Sequence, residues 1–189
     1  TTDMGTSGYY AISVKAAILS KLPAAAIVDI THDIRPFHIS SAAFVIRNVY
    51  HQFPQGSVHI VSVDSLSTRT PRFLAIYANG HYFIGSDNGL FSLALGNTEP
   101  QKVVEIAMAP GSPLATFPAR DVFAPVACHL AQGGALDAVG SPVTDYVRPT
   151  AWQPTYDANS INAVVLYIDE YGNCMCNLDA TLFAQVGKG

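Results

Sequence analysis

Val58-His-Ile-Val-Ser-Val63 is a largely apolar run that ends directly on Asp64. It does not alternate cleanly between polar and apolar residues, which fits a strand covered by helices on both faces. Downstream, Phe73-Leu-Ala-Ile-Tyr77 and Tyr82-Phe-Ile84 flank Asn79-Gly80, the strongest short-range signal for a hairpin. Val103-Val-Glu-Ile106 reads as another strand. Upstream, Ala26-Ile-Val-Asp-Ile30 is a short apolar strand.

Helical spacing fills the gaps between these runs. Ala11, Val14, Ile18 and Leu22 recur on one face after Ser7, a candidate N-cap, and Pro23 stops the run. A second helix is expected to start near Ser40 or Ser41, with Ala42, Val45, Ile46 and Val49 on one face. A third, capped by Asp121, carries Phe123, Val126, Ala127 and Leu130 inward and ends at Gly133-Gly134. Helices alternating with apolar strands predict a layered α/β domain with a mostly parallel sheet over residues 1–141. Residues 142–160 are polar, contain proline and show no periodicity, so they read as a linker. Residues 161–189 open with a strand pair around Glu170-Tyr-Gly-Asn173 and read as the start of an all-β domain.

Composition narrows the function. The chain has 189 residues, 49% apolar and 13% charged, enough apolar content for one core. Ten Lys and Arg against fourteen Asp and Glu give a net charge of −4. That argues against nucleic acid as a partner, since phosphate contacts need clustered cations. No apolar run approaches the roughly 20 residues that cross a bilayer. Three cysteines fit a reducing cytoplasm. The chain opens on Thr1 rather than Met and stops soon after a strand pair begins, so both ends read as cut.

Ligands of open α/β sheets bind beyond the carboxyl ends of the strands. Asp3, just before the first helix, and Asp64 are therefore expected on one rim, unless each only caps a helix or closes a turn. Ser86-Asp-Asn-Gly89 is either a tight turn or part of the same rim. Arg120 either serves an anion at a helix start or pairs with Asp121. His32 reads as a structural, hydrogen-bonded histidine. Asp169-Glu-Tyr-Gly-Asn173 is a hairpin turn that could also present an aromatic ring and short polar groups to a base. Cys174 and Cys176 share a strand face but lack the further ligands of a zinc site, so no metal is expected.

Six stretches, in order, carry a resemblance. They are Thr1-Thr-Asp-Met-Gly5, Ile27 to Ile34 with Pro36-Phe37, Gly56-Ser-Val-His-Ile60, Gly85-Ser-Asp-Asn-Gly-Leu-Phe91, Arg120-Asp-Val-Phe-Ala-Pro125 and Ile168-Asp-Glu-Tyr-Gly-Asn173. Together they resemble the S-adenosyl-L-methionine hydroxide adenosyltransferases, relatives of the fluorinases and chlorinases. The resemblance implies an N-terminal α/β domain, the opening of a C-terminal β-barrel, and a homotrimer with sites between subunits. It implies a small nucleoside substrate, with neither metal nor cofactor. Water would attack the ribose C5′ of S-adenosylmethionine and release methionine, leaving adenosine. Asp64 would then belong to the water-activating set. Asp3 would hold the ribose hydroxyls, and Phe37 would pack near the sugar. Asp169 would receive the methionine ammonium, and Tyr171 and Asn173 would meet the adenine.

The match has two departures. Asp64 is followed by Ser-Leu-Ser-Thr-Arg-Thr-Pro-Arg72 where the family hydrolases have a glycine-rich stretch and an Arg pair. Arg72 matches the second Arg and would act with Asp64 in the catalytic set, Pro71 replaces the first, and Arg69 is a displaced candidate for the same role. Pro118-Ala119 replace a His-Gly pair, and proline offers no side-chain donor or acceptor. Two alternatives to hydrolysis follow: a binding protein that has lost the chemistry, or a halide-using transferase. The halogenases, however, have an aromatic residue where Asp64 stands and a hydroxylated one where Ala119 stands.

Overall fold

The computed structural model describes residues 1–66, 68, 70–108, 116–149, 153–157 and 159–186. They form two compact units, Thr1–Arg148 and Pro149–Gly189.

In the first unit, helices α1 (Tyr10–Lys21) and α2 (Ile39–Val49) precede strand β1 (Val58–Val61). Strands β2 (Phe73–Ala78) and β3 (His81–Ser86) follow, then α3 (Leu90–Leu95) and β4 (Lys102–Ile106). A π-turn over Ala119–Phe123 leads into α4 (Ala124–Ala131), and β5 (Gly140–Pro142) closes the unit. The strands lie in the order β1-β3-β2-β4-β5.

The α/β class holds, and the sheet is mixed. β1 runs parallel to β3, and Thr2 bridges Ser62 in the same sense. The β2–β3, β2–β4 and β4–β5 pairs are antiparallel, so the sheet is less parallel than expected. The hairpin is the physical reason. Asn79 (φ 50°) and Gly80 (φ 80°) adopt the left-handed geometry of a two-residue turn, which can only join antiparallel neighbours.

β2 shows why its sequence is almost wholly apolar. Leu74, Ile76 and Ala78 face a cluster with Ala42, Ala43 and Ile46 of α2 and Leu90, Phe91 and Ala94 of α3. Phe73 and Ala75 face the opposite cluster, with Val14 of α1 and Phe123, Ala127 and Leu130 around α4. Period-two alternation thus feeds two cores, one on each face of the sheet. Gly85 is required where the layers meet. A Cβ there would lie 2.4 Å from the Val61 carbonyl oxygen and 2.8 Å from the Phe91 ring.

Several expectations are corrected. Ser7 caps nothing, because α1 starts at Tyr10 without a side-chain cap. Asp121 lies inside the π-turn rather than capping it. Arg120 pairs with it, Nε to Oδ1 at 2.6 Å. Ala26–Ile30 joins no ladder. The chain beside it is engaged only further on, where Thr2 N–H donates to Thr31 O (3.1 Å) and Gly5 N–H to His32 O (2.8 Å).

The second unit contains two antiparallel pairs, β6 (Thr155–Tyr156) with β7 (Ile161–Asn162) and β8 (Val165–Ile168) with β9 (Cys174–Cys176). A helix, α5 (Ala180–Val186), follows where only strands were anticipated. The stretch 142–160 thus begins in β5 and contains β6; strands of two or three residues leave no period to read in sequence. Among the described residues no helix is long and apolar enough to cross a membrane.

Candidate functional site

The N-terminal residues are fixed first. Thr1 N donates to Ile60 O (2.8 Å) and Ser62 N–H to Thr1 O (2.9 Å). The Thr2 hydroxyl meets His32 Nδ1 at 2.9 Å, and His32 Nε2 lies 3.1 Å from Asp29 Oδ1, so this histidine is structural. Asp3 therefore emerges beside the carboxyl end of β1, where the chain leaves the sheet toward Asp64.

The Asp3 carboxylate joins three separate stretches of chain. Its Oδ2 accepts the backbone N–H of Phe37 (3.0 Å) and of Asp64 (3.2 Å). Both donors have the positive φ that non-glycine residues rarely adopt, 67° at Phe37 and 51° at Asp64. Such strain amounts to about 1–3 kcal/mol per residue and persists only where surrounding bonds impose it. One carboxylate oxygen bonds both of these residues, and Oδ1 makes no bond among the described residues. Phe37, whose backbone N–H meets the acid, is 73% exposed.

Asp64 is clamped from its other side. Asn88 Nδ2 donates to the carbonyls of Val63 (2.9 Å) and Asp64 (3.2 Å), while its Oδ1 accepts Leu90 N–H (3.2 Å). Gly89, at φ 90°, lets the chain turn from this clamp into α3. Ser86 Oγ adds a bond to Ser65 O (3.2 Å). The bonds that hold Asp64 are made through its backbone, which leaves its carboxylate uncommitted among the described residues. The sequence flagged Ser86-Asp-Asn-Gly89 as a turn or part of a rim; the turn is there, and its Asn88 bonds back to residues 63 and 64. That Asn88 reaches back to Asp64 was not readable from spacing.

Arg72 is placed differently. Its guanidinium meets Glu105 (Nε–Oε2 3.1 Å), Asp145 (Nη2–Oδ1 3.2 Å) and Asp87 (Nη1–Oδ2 3.5 Å), and it donates to Asp145 O. Partial burial opposes its charge. Asp145, Glu105 and Asp87 outweigh that burial and raise its pKa. Asp87 is itself anchored, since its Oδ1 accepts Val147 N–H (2.8 Å) and its N–H donates to Arg72 O (2.9 Å). Arg72 thus braces the loop that carries Asn88. Arg69 lies outside the described residues.

In the second unit, Asp169 organises its own hairpin. Oδ1 accepts Tyr171 N–H (2.9 Å) and Asn173 N–H (2.8 Å), and Oδ2 accepts Asn173 Nδ2 (2.7 Å). The Asn173 side-chain bond is the main reason that the Asp169 pKa falls below the usual carboxylate value, with the backbone bonds assisting. Tyr171 is 92% exposed at the tip. An acid, an amide and a free aromatic ring are thus presented together.

The family profile described as the SAM hydroxide adenosyltransferase N-terminal domain matches residues 1–140. The (R)-S-adenosyl-L-methionine hydrolase of Methanocaldococcus jannaschii is 30% identical over 183 residues, spanning 94% of this chain and 65% of that protein. The Thermus thermophilus protein of the same name is 32% identical over 198 residues, spanning 98% and 74%. A fluorinase from an Actinoplanes strain is 26% identical over 218 residues, spanning 100% and 73%. A solved structure of a conserved Thermotoga maritima protein matches with a TM-score of 0.88 at 30% identity, covering the whole chain and 74% of that protein. The chain spans about two thirds of the length of the Methanocaldococcus relative.

Proposed function

Because the chain belongs to the S-adenosyl-L-methionine hydroxide adenosyltransferase family, we propose that it hydrolyses S-adenosylmethionine to adenosine and L-methionine. The observation that carries this reading is the Asp3 carboxylate, which ties Asp64 and Phe37 into one constellation. Asp3 Oδ1 accepts a ribose hydroxyl, and the Phe37 ring covers the sugar. Asp64 accepts a hydrogen bond from a water aligned behind C5′. The water oxygen forms a bond to C5′ as the C5′–sulfur bond breaks, and that electron pair leaves on the methionine thioether. The water proton passes through Asp64 to solvent. The sulfonium is already a good leaving group, so alignment and partial desolvation of the water supply the rate. Asp169 receives the methionine ammonium, and Tyr171 with Asn173 meets the adenine. Arg72 acts by bracing the loop that clamps Asp64. A homotrimer with sites between subunits and a cytoplasmic location belong to the same reading.

One observation favours a second reading, binding without turnover. The Arg72 guanidinium is occupied by three carboxylates, and Pro118 supplies no donor. Incubation with S-adenosylmethionine in ¹⁸O-labelled water separates the two. Hydrolysis yields equimolar methionine and adenosine labelled at the 5′ oxygen. Saturable calorimetric binding with no adenosine above the blank establishes the second reading, and neither binding nor product overturns both.

A further inference from the structure

Cys174 and Cys176 stand two residues apart on one side of β9, and both are exposed. β8 pairs with β9 through Ile168↔Cys174, Tyr167↔Met175 and Val165↔Cys176, with a register shift between Val165 and Tyr167. The irregularity lies on β8, so β9 itself keeps regular alternation. It also sets Val165 and Ile168, three residues apart, opposite the two cysteines. Directly opposed residues share a sheet face. One face of the hairpin therefore carries two thiols and two apolar side chains, with Val165 50% and Ile168 59% exposed.

The strand that bears the thiols is pinned at both ends. Before it, Asp169 N–H donates to Asn173 O (3.1 Å). After it, Asn177 N–H donates to Val164 O (3.1 Å), and Asn177 Oδ1 accepts Val164 N–H (2.8 Å). Two residues along a strand lie about 6.6 Å apart. Staggered side chains lean along the strand, so two sulfurs leaning toward each other close part of that gap. A metal–thiolate bond is about 2.3 Å, so an ion held between two thiolates spans about 4.6 Å. The Cys174 thiol donates to Gly172 O (3.8 Å). Losing its proton gives up that bond and frees the sulfur to turn toward Cys176.

We propose that Cys174 and Cys176 form a two-coordinate site for a soft monovalent cation, copper(I). Three features select this ligand. Thiolates favour soft ions such as copper(I), whereas calcium and magnesium take oxygen ligands, and this face presents sulfur and hydrocarbon. A structural zinc ion takes four ligands. Among the described residues no group of three or more His, Cys, Asp or Glu is placed to hold a metal ion, so the pair acts alone. Val165 and Ile168 border the thiols with hydrocarbon, which limits access of water to a bound ion. Binding breaks two S–H bonds, forms two copper–sulfur bonds and releases two protons to solvent. Neither copper nor sulfur changes oxidation state. The inference is independent of the proposed reaction.

The test titrates the reduced, whole chain with copper(I) delivered from a coloured bidentate chelator under oxygen-free conditions. Native mass spectrometry counts the metal bound. One copper per chain is expected, with new near-ultraviolet thiolate absorption. Cys174→Ser and Cys176→Ser should each bind more than about a hundredfold more weakly, beyond the loss typical of outer-shell changes. Cys128→Ser, at the buried third cysteine, should bind as the parent does. Cys176→Met keeps a soft sulfur donor and should recover part of the affinity lost in Cys176→Ser. No binding by the parent overturns the proposal, as does parental affinity in either cysteine-to-serine variant at the site. One copper shared by two chains, or displacement of the copper by equimolar zinc(II), also overturns it. A Cys176→Met variant as weak as Cys176→Ser refutes the soft-donor assignment.

Discussion

Replacing Asp3 by Asn separates a structural role from a ligand-binding one. Asp3 Oδ2 accepts two backbone donors, at 3.0 and 3.2 Å, and Oδ1 is left for a ribose hydroxyl. In Asp3→Asn the remaining carbonyl oxygen can still accept both N–H groups. Those bonds fall from the charged class, about 1.5–3 kcal/mol, to the neutral class, about 0.5–1.5 kcal/mol. Folding stability should therefore drop by about 2 kcal/mol, read as a lower urea midpoint. The other position becomes an NH₂ group, which cannot accept from a ribose hydroxyl. Loss of that charged bond at about 1.5–3 kcal/mol corresponds to a rise in Kd of roughly tenfold to a hundredfold. Calorimetric titration with adenosine measures it without requiring turnover. Asp3→Ala should lose stability further, because the backbone N–H groups of Phe37 and Asp64 then lose their shared acceptor. If Asp3→Asn binds adenosine within about threefold of the parent while stability falls as expected, Asp3 is only a brace and the ribose assignment is wrong.

Two further outcomes follow from the buried charges. Arg72→Met should cost about 3 kcal/mol by denaturant titration, because it strands Asp87, whose side chain is 2% exposed; the Arg72→Met, Asp87→Asn double variant should recover part of this, and a double variant less stable than the single one refutes the pairing. His59 is buried 3.3 Å from His81, and burial, His81 and the Thr1 ammonium lower its pKa to about 4. Unfolded chains take up this proton near pH 6.5, so stability should fall as pH drops from 6.5 toward 4 and then level off. The loss is at most about 3 kcal/mol, and urea midpoints at pH 7, 5.5 and 4.5 should show it diminished in His59→Phe.

Local chemistry fixed what sequence could show. Asn79-Gly80 names its own turn, because few residues adopt φ near 50° and 80° in succession. The unbroken apolar character of Phe73–Ala78 reports a strand buried on both faces, and both faces are covered. Asp3, Phe37 and Asp64 were each identifiable as members of a family pattern. Even so, a lone aspartate before a helix and a lone aspartate after a strand each have an ordinary use as a cap or turn.

Only the folded chain decided which of those residues meet. A single carboxylate oxygen bonds the backbone N–H groups of Phe37 and Asp64 from 34 and 61 positions away. The Asn88 clamp spans a comparable gap of 24 residues. Arg72 read as a partner for Asp64, yet three carboxylates delivered by β4 and by the loops at Asp87 and Asp145 compete for its guanidinium. Ala26–Ile30 has the composition of a strand, but a ladder needs a neighbour, and composition carries no record of which edges are filled. Periodicity is written residue by residue. Hydrogen-bond partners far apart in the chain are chosen by packing, and so the chemistry of this rim had to be read in three dimensions.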